Sequence, residues 1–88
     1  MSAQMTVEDM KRLNSSPEDL LQKCPPEIDL ELVRIAVQGR VFPRRLAEDA
    51  SRARTVEELI KFLDPFGKKR FLYFYLKAYA AKYNVCLN

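Results

Sequence analysis

The chain contains no histidine and no tryptophan, only two glycines and two cysteines among 88 residues. Without histidine it lacks the commonest general base and the usual partner of a serine or cysteine nucleophile. Most zinc and iron sites are lost with it, and two cysteines at Cys24 and Cys86 do not complete one. Two isolated glycines, Gly39 and Gly67, cannot form a phosphate-cradling loop. They are also few for a β-rich protein built on tight turns. No apolar run approaches the ~20 residues of a membrane span, and the start Met-Ser-Ala-Gln-Met-Thr has no basic region followed by an apolar stretch. A small secreted domain would carry more cysteines, so Cys24 and Cys86 read as free thiols in a reducing compartment. The chain is accordingly expected inside the cell, in the cytoplasm, with the nucleus as the alternative.

What is present points to helices. The hydrophobic fraction of 48% is that of a folded domain rather than a disordered chain. At this length one domain spanning residues 1–88 is expected, with residues 1–5 and 84–88 as flexible ends. Helix-start signals recur. Thr6 precedes Val7-Glu8-Asp9, opening a short helix to Asn14; Ser16-Pro17-Glu18-Asp19 opens a second, which Pro25-Pro26 stops. A third, strongly apolar helix is expected from Pro26 to Gln38, closed by Gly39 in a left-handed conformation. A fourth, mostly solvated, runs from Pro43 to Ala53 with Phe42 as its anchor. Thr55-Val56-Glu57-Glu58 has the form of a capping box, and Leu59, Ile60, Phe62 and Leu63 give the fifth helix its apolar face. Asp64-Pro65-Phe66-Gly67 reads as a type I turn, and the last helix as Lys68 to Tyr83. No alternating strand pattern competes. The expected architecture is all-α, a compact bundle of five or six short helices with a long aromatic C-terminal helix.

That last helix is the most distinctive segment. All four tyrosines lie in it, and seven of the nine aromatics lie between Phe66 and Tyr83. With Arg70 at 0° and ~100° per residue, Arg70, Phe74, Lys77 and Ala81 share one face; Leu72, Leu76, Tyr79 and Tyr83 lie opposite. The apolar arc is wider than a surface helix needs. Either the helix is central to the fold, or part of the arc, Tyr73, Phe74 and Tyr79 beside Lys77, docks a partner.

Charge is unevenly distributed. Residues 1–33 hold seven acids and three bases, whereas residues 34–88 hold twelve bases and five acids. Lys68-Lys69-Arg70 stands at the expected helix start, where the dipole disfavours cations, and with Arg44 and Arg45 it could form a basic patch. The adjacent carboxylates Glu8/Asp9, Glu18/Asp19 and Glu57/Glu58 sit at helix starts, where capping accounts for them. The sequence names no catalytic residue, metal ligand, cofactor or small-molecule substrate. The function expected is a non-catalytic protein–protein interaction module: an adaptor, small regulator or assembly subunit that binds a protein partner or itself. Its candidate contacts are Tyr73, Phe74, Lys77, Tyr79, Arg44, Arg45, Lys68, Lys69 and Arg70. The alternative is a small basic nucleic-acid-binding protein using Arg44, Arg45 and Lys68–Arg70.

Overall fold

A computed structural model describes residues 16–84; the expected helix from Thr6 to Asn14 and the thiol of Cys86 lie outside this range. Among the described residues there are five helices: α1 (Pro17–Lys23), α2 (Leu30–Val37), α3 (Arg44–Asp49), α4 (Val56–Leu59) and α5 (Pro65–Tyr83). The only β pairing among them is an isolated antiparallel bridge between Glu27 and Thr55. The all-α architecture is thus as expected, with the aromatic helix at its centre.

Local chemistry sets the helix starts. Ser16 Oγ accepts from the Asp19 N–H at 3.2 Å, and Asp19 Oδ2 accepts from the Ser16 N–H at 3.3 Å, a reciprocal capping box. At α4, Thr55 Oγ1 accepts from the Glu58 N–H at 3.1 Å, but Glu58 returns to the N–H of Arg54 at 3.2 Å rather than to the cap residue. At α5, Asp64 Oδ1 accepts from the Gly67 N–H at 2.6 Å. Gly67 leaves room for that contact, since a Cβ there would stand 3.1 Å from the same oxygen. Asn84 closes α5 in the left-handed region at φ 54°, its N–H donating to the Ala80 carbonyl.

Four expected boundaries move. Helix α2 begins at Leu30 rather than Pro26. The Pro26 carbonyl instead accepts from the Val56 N–H at 3.3 Å, and Asp29 caps the helix by accepting from Glu31 and Leu32. Helix α3 stops at Asp49, because the N–H groups of Arg52 and Ala53 both return to the Asp49 carbonyl. Helix α4 is a single turn: Ile60 leaves helical geometry, at ψ 8°, and fills the core. The Asp64–Gly67 segment is the first turn of α5 and not a separate turn. A type I turn and the start of a helix share nearly the same backbone angles, so only the next few residues of the chain distinguish them. Lys68, Lys69 and Arg70 therefore lie beyond the first turn, where the dipole's cost to a cation has faded.

Helix α5 packs against α2 and α1, and α2 also touches α3. The core joins Leu20, Cys24, Leu32, Val33, Ala36, Leu46, Val56, Leu59 and Ile60 to Phe71, Leu72, Phe74, Tyr75 and Leu76 of α5. Phe71 is its hub, stacked on Tyr75 at 5.5 Å between centroids and met edge-on by Phe42 at 6.0 Å. The wide apolar arc of α5 is thus largely explained by burial from several sides. Gly39, at φ 69°, turns the chain after α2 as its position suggested.

Candidate functional site

Residues 25–32 run beside the C-terminal half of α5, and the two enclose an open cleft of about 610 Å³. Pro25, Ile28 and Leu32 supply its apolar surface, Tyr75, Tyr79 and Tyr83 its aromatic wall, and Glu27, Asp29 and Glu31 its acidic residues. The three tyrosines follow one another at intervals of four residues, so successive rings stand on one face of α5. Tyr79 and Tyr83 lie 5.0 Å apart between centroids. Leu30 and Tyr83 at the mouth are 54% and 50% exposed.

Asp29 organises this cleft. Its backbone N–H donates to the Tyr75 hydroxyl at 3.1 Å, and its carboxylate both caps α2 and accepts from Tyr83 Oη at 3.0 Å and Lys82 Nζ at 2.7 Å. Lys82 also reaches Glu31 Oε1 at 2.8 Å. The hydrogen bond from Lys82 is the main cause holding the Asp29 carboxyl below its ordinary pKa, with Tyr83 and the Leu32 N–H assisting. Reciprocally, the bonds to Asp29 and Glu31 raise Lys82 above the usual lysine value. Burial raises the Tyr75 phenol. Nearby in the core, burial pushes the Cys24 thiol up to about 12, so it is a neutral, free core thiol.

A second feature lies beyond the other end of α2. The loop from Gly39 to Pro43 presents Val41, 87% exposed. Its backbone is pinned: Arg70 Nη1 donates to the Val41 carbonyl at 2.9 Å, and the same guanidinium sits 4.9 Å from the centroid of Phe42. Arg40 Nη1 donates to the carbonyls of Ile35, Ala36 and Gln38, closing α2, and its guanidinium lies 3.6 Å over Phe74. Burial, and then the charge of Arg70, hold Arg40 below its ordinary pKa.

The structure separates the residues singled out from the sequence. Tyr79 belongs to the cleft. Phe74 is only 3% exposed and lies in the core under Arg40, not on an open arc. Tyr73 is half-buried, edge-on to Phe74, with Lys77 Nζ 5.4 Å above its ring. The basic residues do not converge on one patch. Arg45 is bonded to Asp49 at 2.9 Å and stacked over Phe62, while Lys68 lines a small recess with Glu18 and Glu57. Lys69 is half-buried, Arg44 and Lys77 are exposed, and Arg70 joins the Val41 loop. Sequence reasoning passed over Asp29, Leu30, Glu31, Tyr75, Lys82 and Tyr83 as a group, and Arg40 and Val41. The one local signal was Asp29 itself, a good N-cap residue just before an apolar run.

Among the described residues, no group of three or more His, Cys, Asp or Glu side chains could hold a metal ion, and no helix is long and apolar enough to cross a membrane. No family model, curated protein or solved structure matches the chain.

Proposed function

We propose that this chain is a non-catalytic protein–protein interaction module, an adaptor, small regulator or assembly subunit, whose contact surface is the tyrosine cleft between residues 25–32 and the end of α5. The observation that supports this reading is the half-buried Tyr79 and the exposed Tyr83 standing beside the exposed Leu30 over the buried Tyr75. Tyrosine offers large contact area with a polar tip and little conformational entropy to lose, which suits an interface more than a core. The cations and acids that the fold brings together, Lys82 with Asp29 and Arg45 with Asp49, act in capping and pairing. The setting on this reading is the cytoplasm, where Cys24 stays reduced. The alternative, nucleic-acid binding through Arg44, Arg45 and Lys68–Arg70, is weakened by the dispersal of those residues and by the acids beside Arg45 and Lys68.

A photo-activated cross-linker placed at position 30 or 83 in cells tests the reading, with exposed Glu48 of α3 as the control position. Protein adducts at positions 30 and 83 but not at 48 are expected. Absence of protein adducts at both positions would overturn it, and nucleic-acid adducts from a cross-linker placed at exposed position 44 or 45 would put the alternative in its place.

A further inference from the structure

The cleft asks for an occupant with an apolar tip and flanking positive charge, and the chain itself carries one. The cleft's surface is apolar at Pro25, Ile28 and Tyr79, and its acids are Glu27, Asp29 and Glu31. Lys82 bridging Asp29 and Glu31 at 2.7 and 2.8 Å shows that these carboxylates bind a cation in the folded molecule. The exposed Glu27 makes no ion pair among the described residues. At the far end of α2, Val41 stands out of a pinned loop, with the exposed Arg44 three residues further along the chain and Arg70 on its own carbonyl. A lone exposed valine is ordinary. Val41 differs in that Arg70 holds its carbonyl and Arg40 ties down the end of α2 just before it, so less ordering entropy remains to be lost on docking.

The two features cannot meet within one molecule. On α5, Arg70 and Tyr79 point ~180° apart and are separated by ~13 Å along the axis. The Val41 loop and the cleft also lie beyond opposite ends of α2. We propose that a second copy of this chain fills the cleft, with its Val41 entering among Pro25, Ile28 and Tyr79 and its Arg44 and Arg70 facing Glu27 and Glu31. This deepens the interaction-module reading and rests on it. The contact is heterologous: each copy offers one knob and one cleft, so association continues head to tail into chains or closes into a ring. It is small and charge-assisted, hence weak and sensitive to salt.

The test is sedimentation equilibrium of the purified full chain from ~10 µM to ~1 mM at ~50 mM and ~300 mM salt, a range chosen for weak contacts screened by ions. The wild type is expected to grow in average mass with concentration and to dissociate in salt. Val41→Glu removes the knob and Glu27→Lys reverses the rim. Both side chains are exposed, so circular dichroism should show both variants folded. Each alone should weaken association at least ~10-fold. Their equimolar mixture should recover dimers and nothing larger, since one variant keeps a working cleft and the other a working knob. A wild type that is monomeric throughout, or assembly that survives Val41→Glu, would overturn the proposal. So would a mixture that stays monomeric. Protein adducts at positions 30 and 83 together with a monomeric wild type would mean that the cleft binds a different protein, leaving the broader reading standing.

Discussion

Tyr75 and Asp29 tie the two sides of the cleft together through one hydrogen bond from a backbone N–H to a phenol. Tyr75 is 1% exposed, and removing its hydroxyl leaves the part-buried Asp29 N–H without its acceptor. Tyr75→Phe should cost about 1–3 kcal/mol in urea unfolding while keeping the ring's stack on Phe71. Asp29 adds a pH signature. Its folded pKa lies below the unfolded one, so the unfolded chain binds more protons in acid. The resulting stability is present above the ordinary carboxylate pKa and disappears as pH falls through the folded value. Asparagine caps a helix about as well as aspartate but does not titrate. In thermal melts from about pH 6 down to about pH 2, Asp29→Asn should therefore show a shallower loss of stability than the wild type. Equal slopes would show that Asp29 does not contribute to the acid limb.

Helix α5 illustrates how an element's start depends on a few short-range contacts. Asp64, Pro65 and Gly67 together allow the chain to enter the helix three residues earlier than the lysine-rich run suggests. Asp64→Ala should destabilise by about 1 kcal/mol through loss of the cap. Gly67→Ala gains helix propensity, up to about 1 kcal/mol, but its new Cβ presses on the capping oxygen at 3.1 Å. The gain from Gly67→Ala should therefore be larger in the Asp64→Ala background than in the wild type. A double-mutant cycle measured by denaturant unfolding checks this, and additive effects would rule out the crowding. The caps at Ser16 and Thr55 are legible in the sequence because a cap joins residues two or three apart, whereas Asp64 reads equally well as the first residue of a turn. The lengths of α3 and α4 are not legible there. Helix α4 stops where Ile60 leaves helical geometry to fill the core, and α3 stops where the Arg52 and Ala53 N–H groups share the Asp49 carbonyl; burial overrides local propensity in so short a segment.

At the scale of the molecule, one aromatic cluster joins separate parts of the chain. Phe71 connects the Phe42 loop, α5 and, through Tyr75, the start of α2. Phe71→Ala should cost about 3–5 kcal/mol, a large share of the stability of a domain this small. Because the Val41 loop rests on Phe42, that variant should loosen the loop as well, read as faster amide exchange at residues 39–42. Exchange there unchanged at equal global stability would mean that the loop is held by Arg40 and Arg70 alone.

The amino-acid sequence by itself determined the helical class, the capping residues at Ser16 and Thr55, the left-handed turn at Gly39 and the prominence of the aromatic last helix. All of these depend on interactions within about one helical turn or on composition. Only the tertiary structure decided which aromatics are core and which line a cleft, and which cations meet which acids. The bonds of Asp29 to Tyr75, Lys82 and Tyr83 cross 46, 53 and 54 residues. Arg70 reaches Val41 across 29. No periodicity or spacing encodes such pairings, because they depend on how α2 and α5 pack, and that packing is set by the whole apolar core at once.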